Sequence, residues 1–196
     1  MEQKYLKILG IILVPIVVYL LSFGMVVFHY PSYEKLISKY SADKTTAELQ
    51  TKNIISYFQG SEELRGFTKP EADHLKDVRF LIWTLLIVLV FLIILLFKIY
   101  DYEAIVLGGI ISLILPLILY IIPFEILFDV FHRIFFPQGN WMFDYNSVLI
   151  QMYPFQFFYD FFKNILFRGF ILGLVITILF LKDSIKNKIY FPLQQN

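Results

Sequence analysis

Residues 80–97 read FLIWTLLIVLVFLIILLF and residues 104–124 read AIVLGGIISLILPLILYIIPF, with only KIYDYE, residues 98–103, between them. Neither apolar run holds a charge, and each comes close to the roughly 20 helical residues that cross about 30 Å of hydrocarbon. Their flanks are charged: Arg79 and Lys98 on the first run, Glu103 and Glu125 on the second. So short a connection makes the pair a tight antiparallel hairpin and leaves no room for a site at that end.

Working outward, Leu6 to Phe28 is a third such run, with Lys7 as its only charge and Pro15 expected to kink it without ending it. Ser22, Phe23 and Gly24 weakly resemble a signal-peptide cleavage site, but the apolar run continues through Val27, which favours a retained helix. On the C-terminal side the charge-free stretch Gly169 to Leu181 is too short alone. It reaches spanning length only by extending back through Arg168, Asn164 and Lys163. The expected fold is a single all-α membrane domain over residues 1–196. Its four transmembrane helices are expected at 6–28, 80–97, 104–124 and 161–181, with extracytoplasmic segments at 29–79 and 125–160. The first of these segments reads as a small helical cap, the second as an interfacial amphipathic segment.

Composition agrees. The 196 residues are 58% apolar and 19% aromatic with only 17% charged, outside the balance of a soluble domain. A formal net charge of +1 gives no electrostatic footprint for nucleic acid. The absence of cysteine excludes a thiol nucleophile, a disulfide and Cys-ligated zinc.

Short flanks set the orientation. Lys4 and Lys7 precede the first span, Lys98 lies in the hairpin, and Lys182, Lys186 and Lys188 follow the last span, so this face reads as cytoplasmic, with both termini on it. More Lys and Arg lie on the other face, but they are interleaved with Glu and Asp over a longer loop. Both polar segments then fall outside, where they must meet over the bundle. In the first, helical stretches are expected around Tyr33 to Tyr40 and Ala47 to Phe58, with breaks at Gly60 and Gly66.

Three clusters of these polar residues suggest chemistry. If the second spanning helix begins early, Glu71, His74 and Asp77 lie three apart on one face. A carboxylate beside an imidazole would raise its basicity and fix its tautomer; the plainer alternative is a polar collar on a membrane helix. In Glu125-Ile-Leu-Phe-Asp-Val-Phe-His-Arg-Ile-Phe-Phe, Glu125, Asp129 and His132 share a face while Phe128, Phe131, Phe135 and Phe136 line much of the rest. For Trp141 and the phenylalanines the plainer reading is an aromatic belt at headgroup depth. His132 among apolar rings would lose its proton readily, which suits a base working near neutral pH. Asp160, Asn164 and Arg168 recur every four residues as a polar stripe. Arg168 either snorkels to headgroups or orients an anionic or ester oxygen.

Glu71, His74, Leu75, Asp77 and Val78 are followed, after the hairpin, by Phe131-His132, Phe135-Phe136, Trp141, Leu149-Ile150, Pro154 and Phe157-Phe158. This succession resembles Lit, the lipoprotein intramolecular transacylase of Gram-positive bacteria, and Asn53, Ile54 and Tyr57 fit as well. Ser147 departs from the pattern, where an acidic residue is expected; Asp144 is the candidate substitute. The resemblance implies an acyltransferase of the cell membrane, active on its outward side without a cofactor. Its substrates would be membrane lipid-anchored proteins whose N-terminal Cys carries a diacylglyceryl thioether. The sn-2 acyl chain would move to the alpha-amino group of that Cys, giving an N-acyl lyso-lipoprotein. His74 and His132 are the expected catalytic pair, with Glu71, Asp77, Asp129, Trp141, Asp144 and Arg168 in support or in substrate binding.

Two other classes compete. A non-catalytic accessory or transport subunit is one, but transporters place polar groups near the midplane in broken helices, and spans two and three carry no charge. An intramembrane metalloenzyme is the other, yet His-Glu-x-x-His does not occur and His29 lies far from the other histidines in sequence.

Overall fold

The structure, a computed structural model, describes residues 2–61 and 64–190, with the side chains of Glu2 and of residues 187–190, Lys188 among them, outside the description. The described residues form eight α-helices and no strand: α1 (Glu2–Val27), α2 (Tyr30–Tyr40), α3 (Lys44–Gln59), α4 (Lys69–Lys98), α5 (Tyr102–Ile121), α6 (Phe124–Phe135), α7 (Val148–Met152) and α8 (Phe155–Tyr190). Four of them, α1, α4, α5 and α8, are long and apolar enough to cross a membrane. The all-α, four-span expectation therefore stands.

Helix ends differ from the edges of the apolar runs. α4 begins at Lys69, eleven residues before Phe80, and its 30 residues rise about 45 Å against the ~30 Å of a hydrocarbon core. We therefore take Phe80–Phe97 as its spanning part and Lys69–Arg79 as an extension beyond it. α5 stops at Ile121 rather than Phe124, because Pro123 supplies no backbone N–H and starts α6 instead. α1 continues unbroken through Pro15.

The chain clusters into two compact units. The first combines residues 1–23, 87–121 and 165–196. Small residues let its helices approach closely: a Cβ on Gly108 would lie 2.5 Å from Val14 Cβ, and one on Gly173 would lie 2.7 Å from Ser112 Cβ. Polar side chains add fixed points. Tyr19 Oη donates to the Ser112 carbonyl (2.7 Å), Ser22 Oγ to the Ile165 carbonyl (2.6 Å), and Lys7 pairs with Glu103 (2.6 Å). Ile94, Phe97, Leu117, Tyr120 and Ile121 point outward and exposed, as lipid-facing side chains do.

Residues 24–86 and 122–164 make the second unit, so the two polar segments belong to one body. Asp43 caps α3 by accepting from Thr46 N (3.1 Å), and α3 ends at Gly60 with φ 124°. Tyr33 is buried, donates to the Val27 carbonyl (2.9 Å), and packs its ring against Tyr153, Phe157 and Phe161. Ser41 Oγ reaches the Met152 carbonyl, and Thr51 Oγ1 meets Tyr153 Oη, each at 2.5 Å. Asp160, at the start of α8, accepts from Lys39 (2.9 Å) and Tyr40 (2.5 Å) of α2 and pairs with Lys163 (2.5 Å).

Candidate active site

The extension of α4 starts with Thr68-Lys-Pro-Glu71, a capping box. Glu71 reaches back, and its Oε2 accepts from Thr68 N (2.8 Å) and Thr68 Oγ1 (2.7 Å). Its Oε1 accepts from Leu149 N (3.1 Å) in the first turn of α7. One carboxylate therefore caps two helix starts. Burial, which leaves Glu71 only 1% exposed, would push its pKa up; the donors from Thr68, Leu149 and Val148 outweigh it and hold the carboxyl below its ordinary range. Its oxygens thus serve Thr68 and α7 rather than the imidazole of His74, one turn further along.

His74 and Asp77 project from the same extension. The His74 ring lies 4.9 Å from Phe136 and 5.5 Å from Phe143, centroid to centroid. His132 projects from α6, with Phe128 at 4.1 Å, Trp141 at 4.6 Å and Phe136 at 5.7 Å. The imidazole centroids are 6.5 Å apart and their planes 24° from parallel. Residues 58 positions apart in sequence are thus neighbours in an aromatic surround.

His132 Nδ1 lies 2.7 Å from the Phe128 carbonyl oxygen. A carbonyl only accepts, so Nδ1 carries the hydrogen and the lone pair of the neutral ring sits on Nε2. Burial lowers the His132 pKa, with the Phe128 carbonyl and the Asp129 carboxylate pulling the other way. His74 is pushed down to about 4, by burial first and then by His132, against smaller opposing effects of Asn140 and Asp77. Both shifts favour the neutral ring, and the larger one falls on His74.

The remaining sequence candidates divide. Asp77 Oδ2 accepts from Gln138 Nε2 (2.8 Å) and Asn140 Nδ2 (2.6 Å), tying α4 to the loop after α6. Asp129 pairs with Arg133 one turn along α6 (2.7 Å) and acts on His132 only through its charge. Trp141 covers the His132 ring. Asp144 is exposed, and its carbonyl accepts from Ser147 N (2.9 Å). Ser147, where an acid was expected, caps α7 through Ile150 N (3.3 Å), which an aspartate at that position would also do. Arg168 is partly buried on α8 in the other compact unit. Among the described residues no three His, Cys, Asp or Glu side chains are grouped as they would be around a metal ion.

Sequence reasoning missed Gln138 and Asn140, and placed Phe136 only on an aromatic face rather than as the ring both histidines share. The Pro137-Gln-Gly-Asn140 turn was visible, with Gly139 at φ 76°, but nothing local signals that its amides meet a carboxylate on α4.

A family model described as lipoprotein intramolecular transacylase Lit matches residues 8–158. An uncharacterized protein of Aquifex aeolicus is 32% identical over 146 residues, 66% of this chain and 67% of that one. Among solved structures, the membrane integral lipoprotein intramolecular transacylase Lit from Bacillus cereus superposes with a TM-score of 0.77 at 19% identity, covering 95% of this chain and 97% of that one. A histidine-to-alanine variant of the same Bacillus protein gives a TM-score of 0.75, also at 19% identity, over 95% of each chain.

Proposed function

We propose, from the premise that this chain belongs to the lipoprotein intramolecular transacylase (Lit) family, that it moves the sn-2 acyl chain of a diacylglyceryl-modified lipoprotein onto the alpha-amino group of that protein's N-terminal Cys. The chain is a multi-pass membrane acyltransferase. Its second compact unit faces outward, where the lipoprotein N-terminus lies.

The observation that carries it is the pair of imidazoles 6.5 Å apart, centroid to centroid, among Phe128, Phe136, Phe143 and Trp141. Two imidazoles this close can both serve one reacting centre, one taking a proton and the other giving one. The amine, with a pKa near 8, arrives mostly as ammonium and must lose a proton before it attacks. Attack on the sn-2 ester carbon gives a tetrahedral oxyanion. Collapse breaks the C–O bond, and the departing alkoxide takes a proton. An imidazole that has accepted the amine's proton can supply it, so one amide N–C bond forms, one ester C–O bond breaks, and the ammonium's excess proton is released. His132, with Nδ1–H held by a carbonyl and Nε2 bare, is built for the accepting role. Nucleophile and ester belong to one molecule, so holding them together replaces an acyl-enzyme, in keeping with a chain that has no cysteine.

Mass spectrometry of lipoprotein N-termini tests this, in cells expressing the chain, His74→Ala or His132→Ala. Transfer of one acyl group to the amine by the wild type and its loss in both variants is the expected result. Unchanged lipoproteins with the wild-type chain present in the membrane would overturn the assignment.

A further inference from the structure

Two buried polar atoms in the site have no partner that meets hydrogen-bond geometry: His74 Nδ1 and Asn140 Oδ1. They are not independent. Asp77 stands one helical turn after His74 on α4, and its Oδ2 takes the Asn140 Nδ2 hydrogen at 2.6 Å. A carboxylate only accepts, so it decides which end of the Asn140 amide is which: nitrogen towards Asp77, oxygen turned away from it. Gln138 Nε2 on the same Oδ2, at 2.8 Å, makes this anchor two-armed. The amide acts on His74 as an accepting neighbour that favours the imidazolium, the sense expected of an oxygen facing a ring nitrogen. Hydrogen bonds that serve a reaction are often long or misaligned in the free enzyme and tighten when substrate is bound.

We infer that Asn140 is the positioning residue of His74: its Oδ1, turned by Asp77, takes the Nδ1 hydrogen of the imidazole and leaves the lone pair on Nε2. The chain Asp77–Asn140–His74 then does for one ring what the Phe128 carbonyl does for His132 at 2.7 Å. Both histidines present a bare Nε2. A pair of acceptors matches a substrate that arrives as an ammonium, since two N–H hydrogens leave the nitrogen on the way to an amide and one of them goes to the alkoxide. This rests on the transacylase reading only for that last match; the tautomer is set by the orientation of the amide in the free protein, and the bond shortens when substrate is bound.

The test uses the full chain in lipid nanodiscs, labelled with 15N-histidine. Long-range 1H–15N correlation reports the tautomer of His74, and initial rates of acyl transfer on a diacylglyceryl lipopeptide are taken from pH 5 to 9. In the wild type His74 is expected as the Nδ1–H tautomer. Asn140→Leu is expected to lose that preference and to slow transfer by about 100-fold, the scale of a misplaced reacting group. The swap Asp77→Asn with Asn140→Asp keeps one donor and one acceptor between the two side chains and an accepting oxygen towards the ring, so it is expected to keep Nδ1–H and to move the acidic limb of the rate profile upward, with His132 as the other titrating group facing the ring. An Nε2–H tautomer for His74 in the wild type overturns the inference. So does Asn140→Leu with tautomer and rate both unchanged. The Nδ1–H tautomer in a wild type that transfers no acyl group supports the pairing while defeating the transacylase reading.

Discussion

Glu71→Gln separates a structural carboxylate from a catalytic one. The native side chain satisfies three donors, Thr68 N, Thr68 Oγ1 and Leu149 N. Glutamine has one accepting oxygen, so its NH2 must face either the Thr68 pair or Leu149 N. At least one buried donor is orphaned, at about 1–3 kcal/mol, and the bonds that remain lose their charge assistance, at about 1 kcal/mol each. Relief from burying a charge offsets part of this. The net loss is about 2–4 kcal/mol, or a fall in Tm of about 5–15 °C at the scale of a chain this long. Thermal unfolding followed by tryptophan fluorescence in detergent measures it. Below that temperature the variant should transfer acyl chains with an unshifted pH profile, because the carboxylate does not reach the imidazoles. The pH dependence of stability has a definite sign. The folded carboxyl titrates below the unfolded one, so its stabilisation is fully present above the ordinary glutamate range and is lost as pH falls through the folded value. A Glu71→Gln protein that melts like the wild type yet loses activity, or shifts its pH profile, would refute this reasoning.

Replacing either histidine by alanine should lower the transfer rate by at least about 100-fold while leaving the chain in the membrane, as measured on lipopeptide by mass spectrometry. Because burial lowers His74 to about 4, that ring should add no inflection between pH 6 and 8, and a His132→Ala variant should follow the substrate amine there. His74 also makes the fold acid-sensitive: the unfolded ring takes a proton near 6.5 and the folded ring only near 4, so melting temperature should drop as pH falls across that window. Gly173→Leu, whose first added carbon already lies 2.7 Å from Ser112 Cβ and 3.2 Å from the Gly109 carbonyl, should destabilise the spanning helices by about 1–3 kcal/mol or more, read as loss of a monodisperse peak in detergent. Since the chain has no cysteine, single replacements report topology cleanly: an impermeant maleimide should label Asp144→Cys from outside and Asp101→Cys only after lysis.

The spans were legible because uninterrupted apolar runs have one physical solution in lipid, a helix that satisfies its own backbone. Helix ends were less so, since hydrogen bonding carries α4 from Phe80 back to Lys69 through residues as polar as Asp73 and Lys76. In the site, periodicity put Glu71, His74 and Asp77 on one face, but only through-space contacts show that each carboxylate serves a different partner. Thr68-x-x-Glu71 has the spacing of a helix start, and that local role takes up the carboxylate that periodicity alone pairs with His74. Topology alone brings the two polar segments to one side, and the family resemblance singles out His74 and His132 within them, as no local pattern joins residues in separate segments. Asn140 carried no signal at all, because an asparagine beside a glycine is ordinary turn chemistry.

α4 is one unbroken rod from the imidazole to the lipid. Phe80 follows His74 by six positions, so the His74 backbone stands about 9 Å along the helix axis from the start of the apolar run. That height is a ruler written into the backbone. On the proposed reaction, a bilayer that thickens would raise the glyceryl esters against this fixed mark and one that thins would lower them, so turnover would change with fatty-acid length.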